Sequence, residues 1–162
     1  MPILVHLADE RDAQSILKTG IKPGKYRNGI YCMPVFPDFY ITHQWLRELK
    51  RNGVRTYIGV YFRVHSSQMV FAGKYNEAHK HITLGQAIKE IMGINDPLGY
   101  ELIIARKIQP TEIKKIRNLP QVTGWRYKPT SKGTAPCTCD YCIKSSIKAN
   151  KIRKKLNPGG EN

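Results

Sequence analysis

Apolar positions along this chain switch between a strand period and a helix period. Residues 2–8 (PILVHLA) form a short apolar run of strand length, with His6 near its carboxyl end. Asp9 then reads as a helix N-cap, with Asp12 three residues on. Ala13, Ile16 and Leu17 make one apolar face before Gly20 stops the helix. Residues 21–24 (IKPG) lead out through a turn into a second strand at 29–33, which Pro34 and Pro37 break. Asp38 caps a predicted helix over 39–51, where Tyr40, Ile41, Trp45 and Leu49 form one stripe. Residues 56–64 (TYIGVYFRV) alternate and are rich in β-branched and aromatic side chains, which predicts a strand with 68–72 as its partner. The stretch 74–81 reads as a polar surface loop. Thr83 caps a short helix carrying Leu84, Ala87, Ile88 and Ile91. Glu101 opens a strand over 102–105, and 108–119 carries mixed strand and helix signals.

From Gln121 the pattern changes. Gly, Pro, Thr, Ser and Lys dominate to Pro136, followed by a cysteine cluster and a basic segment. The expected organisation is one α+β domain over 1–120 and an extension over 121–162. At 162 residues the chain is long enough to bury a real core. Lys and Arg total 27 against 12 acids, a formal charge of +15. Such an excess favours a polyanionic partner, and nucleic acid is the expected one. No stretch is apolar enough to span a membrane and no signal peptide is evident, so the expected location is the cytoplasm.

Three short segments carry candidate chemistry: Val5-His6-Leu7, Gly29-Ile30-Tyr31 and Gly99-Tyr100-Glu101, each at the start or end of a predicted strand. Together with the helix ending Ile16-Leu17-Lys18-Thr19-Gly20-Ile21, this His–Tyr–Glu series resembles the ADP-ribosyltransferase superfamily, in its diphtheria-toxin and poly(ADP-ribose) polymerase branch. The resemblance implies a split, mostly antiparallel β core with flanking helices and a cleft for NAD. It implies that Glu101 is catalytic, stabilising an oxocarbenium-like ribose. It also implies that Tyr31 stacks on the nicotinamide and that His6 hydrogen-bonds the ribose. A second stacking ring is expected from the helix after Tyr31, where Tyr40 and His43 are both candidates. His6 is followed by Leu7 and Ala8, where the family commonly has Gly and then Ser or Thr. The activity implied is an NAD-dependent ADP-ribosyltransferase, with a nucleic acid as one acceptor class. Two alternatives stay open: a non-catalytic nucleic-acid-binding module on a degenerate transferase fold, and an RNA 2′-phosphotransferase.

Cys137, Cys139 and Cys142 form C-x-C-x-x-C, a spacing that can wrap one tetrahedral metal, with zinc the default for thiolates. The fourth ligand is open among Cys32, His43, His65, His79, His81 and a partner chain. After this cluster, Lys144, Lys148, Lys151, Arg153, Lys154 and Lys155 occur without an acid among 143–156, and are candidates for contacts with a phosphate backbone.

Overall fold

In the computed structural model of the chain, residues 1–24, 28–75, 77–122, 151–152 and 154–156 are described. The fold is α+β. Among the described residues, seven strands form one sheet: β1 (Ile3–Asp9), β2 (Ile30–Pro34), β3 (Tyr57–Arg63), β4 (Met69–Lys74), β5 (Lys80–Thr83), β6 (Tyr100–Ile104) and β7 (Ile113–Asn118). Their order is β5-β4-β6-β2-β1-β3-β7, and all the pairings are antiparallel. One face packs against α1 (Ala13–Thr19) and α4 (Leu84–Gly93), burying Leu4, Ile30, Val60, Phe62, Leu102 and Ile104 with Ile16, Leu84 and Ile91. The other face is covered by residues 39–52, which contribute α2 (Phe39–Thr42), α3 (Leu46–Leu49) and a closing 3-10 turn. Among the described residues, no helix is long and apolar enough to cross a membrane.

The sheet is not evenly knitted. β1 and β3 pair from Ile3–Arg63 to Asp9–Tyr57, but β1 and β2 pair only at Leu4–Pro34 and Val5–Met33. Beyond Val5 these central strands part, and the site lies there.

Several local expectations change. Asp9 does cap, accepting from the Arg11 amide, but the first turn is a 3-10 turn over Glu10–Asp12 before α1, and Asp12 makes no side-chain cap bond. The helix expected over 39–51 is broken at 43–45: Asp38 caps α2 through Ile41 N as expected, yet His43 and Gln44 turn inward and are buried. β3 is buried along both faces instead of alternating, because β1 and β7 flank it and both helix layers cover it. The stretch 68–72 does not pair with β3; as β4 it lies between β5 and β6. The 74–81 loop is shorter than expected, since β4 runs through Lys74 and β5 begins at Lys80. Thr83 caps α4 with a reciprocal bond from Gln86.

Gly20 closes α1 at φ +81°, and there Ile21 and Ile108 exchange backbone hydrogen bonds of 2.9 and 3.0 Å. A Cβ at Gly20 would overlap the Ile108 carbonyl oxygen. Gly20→Ala combines that overlap with left-handed strain, and should lower the unfolding free energy by about 3 kcal/mol or more in urea denaturation. A loss below about 1 kcal/mol would show that the backbone relaxes freely there.

Candidate functional site

Where β1 and β2 part, a cavity of about 490 Å³ opens between the sheet and residues 42–52. His6, Tyr31 and Glu101 all line it, with Val5, Leu7, Met33, Trp45 and Tyr75 among its other walls. They come from three consecutive strands of the sheet, β1, β2 and β6. Among the described residues the lining holds two acids, Glu48 and Glu101, and no Lys or Arg.

The His6 ring spans the gap between β1 and β2. Its Nδ1 donates to the Tyr31 carbonyl at 2.8 Å, so Nδ1 carries the proton. Burial pushes its pKa below the ordinary 6.5, which favours the neutral ring. Nε2 is then an acceptor on a ring that lines the cavity, suited to a hydroxyl donor.

Glu101 is only 8 % exposed. His79 Nε2 sits 3.1 Å from Glu101 Oε2, while His79 Nδ1 donates to the Glu77 carbonyl at 3.0 Å. With Nδ1 committed as a donor, the Nε2–Oε2 bond requires one proton between the two groups, whichever atom carries it. The register explains the reach. Gly73 pairs with Glu101, and His79 lies against Gly73 from the other side: a Cβ on Gly73 would meet Ala78 O at 3.2 Å and His79 Cα at 3.3 Å. Because Gly73 has no side chain, the imidazole crosses β4 to the carboxylate.

The backbone before Glu101 is clamped from the helix layer. Gln44 is fully buried; its Oε1 accepts from Gly99 N at 2.7 Å and its Nε2 donates to Pro97 O at 3.1 Å. Trp45 Nε1 donates to Tyr100 O at 2.8 Å. Gly99 takes φ +78° and its carbonyl accepts from Tyr75 N at 2.7 Å, which brings the half-exposed Tyr75 ring to the cavity, 5.8 Å from that of Trp45.

Neither expected second ring lines the cavity. Tyr40 lies on α2 outside the lining. His43 is buried: Nδ1 donates to Phe39 O at 2.9 Å, and Nε2 accepts from the Tyr61 hydroxyl at 2.8 Å. It pins the helix layer to β3. Among the described residues, the aromatic rings available to a ligand beside Tyr31 are Trp45 and Tyr75, read from sequence as an apolar stripe member and a loop residue. Trp45 carried no signal beyond that stripe. For His79 the signal was Gly73, since a glycine inside a strand marks close approach by another group.

Cys137, Cys139 and Cys142 lie outside the described residues, as do Lys144, Lys148 and Arg153. Lys151, Lys154 and Lys155 are exposed in helical backbone. Among the described residues no three His, Cys, Asp or Glu side chains come together as a metal site. Of the fourth-ligand candidates, Cys32 is buried with its thiol toward Leu102 O at 3.7 Å, and burial pushes that thiol's pKa up. His65 bonds Ser67 Oγ at 2.7 Å, and His81 stacks on Phe71.

Two outcomes follow from these contacts. Gly73→Val and His79→Ala should be non-additive, with a coupling of about 1 kcal/mol in a double-mutant cycle on unfolding, because each removes the same cross-strand contact. Additivity within about 0.3 kcal/mol would place His79 off Glu101 in solution. Burial also holds His6 and His43 below their ordinary 6.5, so below that pH the unfolded chain binds more protons than the folded one. Stability should therefore be full above 6.5 and fall as pH drops toward the lowered folded values. The thermal midpoint should follow, and His43→Gln should flatten its slope between about pH 7 and about pH 5. An unchanged slope in that variant would remove His43 as a source.

Comparison with family models, with curated proteins and with solved structures returns no match for this chain.

Proposed function

We propose that the chain is an NAD-dependent ADP-ribosyltransferase whose reaction takes place in the cavity where β1 and β2 part. One observation carries the reading: His6, Tyr31 and Glu101, far apart in sequence, line a single cavity from consecutive strands. Its volume of about 490 Å³ suits a small-molecule ligand.

The lining favours one end of NAD. Nicotinamide in NAD is a cationic ring, and the aromatic faces of Tyr31, Trp45 and Tyr75 among apolar walls suit such a ring. With no Lys or Arg among the described lining residues, the diphosphate belongs outside the part of the cavity they form. Tyr31, Trp45 and Tyr75 supply aromatic walls for the ring, and His6 Nε2 accepts from a ribose hydroxyl. As the bond between ribose C1′ and the nicotinamide nitrogen breaks, its electron pair leaves with neutral nicotinamide. Positive charge then develops on the ribose, and the Glu101 carboxylate stabilises it. The acceptor nucleophile adds to C1′ and loses its proton. His79, hydrogen-bonded to Glu101, holds the carboxylate in one orientation.

The test is release of nicotinamide from NAD by the purified chain, alone and with DNA or RNA. Wild type should release it, and Glu101→Gln should lower the rate by about 100-fold or more with its melting point retained. Absence of release from folded protein under every condition would overturn the reading in favour of a binding module. Release confined to 2′-phosphorylated RNA would overturn it in favour of a phosphotransferase.

A further inference from the structure

The cavity face of the sheet continues past β1 onto β3 and β7. Residues facing each other across antiparallel strands share a face. Val5, which lines the cavity, is opposite Tyr61, and Tyr61 is opposite Lys115. Leu7, also in the lining, is opposite Gly59, and Gly59 is opposite Arg117. Arg63 joins the same face opposite Ile3. At Tyr61/Phe62 the β3–β7 register shifts, leaving Lys114 unopposed on β7 beside Arg63 along a second, shallow hollow. A bulge of this kind turns an edge side chain out of the ladder.

These four cations are exposed, and among the described residues none is paired with a carboxylate. The acids at the ends of these strands are already held: Asp9 by Arg11 and Glu112 by Arg106. Beneath them Tyr61 gives a fixed floor, with Lys115 Nζ 5.2 Å and Arg117 Cζ 6.0 Å from its ring centroid. Tyr61 is itself anchored by its hydroxyl to His43. Lys115 and Arg117 stand about 6.8 Å apart along the strand, close to two stacked-nucleotide rises of about 3.4 Å. Two strand spacings, about 10 Å, separate them from Val5 and Leu7 at the cavity wall.

We propose that Arg63, Lys114, Lys115 and Arg117 form a docking edge for the phosphodiester backbone of a nucleic acid, which they lead toward the cavity. This deepens the transferase reading by naming the acceptor class, and its binding arm needs no turnover. Among the described residues the cavity lining itself offers no Lys or Arg to a phosphate, whereas these four cations do. Backbone on β7 and reacting group at the cavity are therefore separate tasks on one face of the sheet.

The experiment is fluorescence anisotropy with labelled DNA and RNA oligonucleotides and the full chain, between about 50 mM and about 200 mM salt. Wild type should bind, more weakly as salt rises. Lys115→Gln/Arg117→Gln, which keeps side chains over Tyr61, should weaken binding about tenfold or more and lower the salt slope by about two. Lys151→Gln/Lys154→Gln/Lys155→Gln should lose less. An unchanged affinity in the β7 pair, or a loss carried wholly by the 151–155 variant, would overturn the proposal. So would binding to phosphatidylserine vesicles without binding to either nucleic acid. Nicotinamide release without acceptor should be the same in the β7 pair as in wild type, so failure of docking and failure of the transferase reading register in different assays.

Discussion

The buried amide of Gln44 fixes the relation between the two halves of the site. It accepts from Gly99 and donates to Pro97, so the helix layer over the sheet is tied to the turn that feeds β6. A fully buried amide left without partners is costly, which makes this one docking geometry strongly preferred over its neighbours. Trp45, next in sequence, adds a bond to Tyr100 O, and the backbone of Tyr75 closes on Gly99 O. The carboxylate of Glu101 follows directly on this clamped turn. Its position is thus set by a residue on another layer, 57 positions earlier in the chain.

The parting of β1 and β2 is the second constraint. A continuous sheet would have filled the centre with ladder hydrogen bonds. Here the Tyr31 carbonyl, which such a ladder would occupy, accepts instead from His6. The same bond fixes which imidazole nitrogen is protonated. One backbone group therefore compensates the open sheet and sets the chemistry of the ring beside it.

Much of this was legible beforehand, and unevenly so. β1, β2, β3, β6 and α4 were readable because each carries an apolar run or face that must be buried, and Thr83 and Asp38 cap as their spacing suggests. β5 (KHIT) was missed because it is short, polar and at the sheet edge, where no apolar pattern is needed. The break in the helix layer at 43–45 was hidden too: an unbroken helix satisfies the same apolar stripe, and only the distant partners Tyr61 and Gly99 show why His43 and Gln44 turn in. Strand order is likewise a property of closure, not of local pattern. Of the site, His6, Tyr31 and Glu101 were in view, whereas His79 reaches Glu101 through an absence, the missing side chain of Gly73. Gly59 works in the same way, letting the Tyr61 ring lie close along β3. Periodicity weighs the side chains that are present and is silent about such gaps.

The edge position of β7 carries one more consequence. Among the described residues no strand lies beside its outer amides and carbonyls, and such a row is a template for another chain's strand. Lys114, Lys115 and Arg117 make that template self-repelling, since two copies meeting edge to edge would oppose like charges. A polyanion that neutralised them would also remove this protection against self-association. The chain would then be best guarded with these cations bare, and a complex that saturated them would be the form in which strand-to-strand aggregation has its opening.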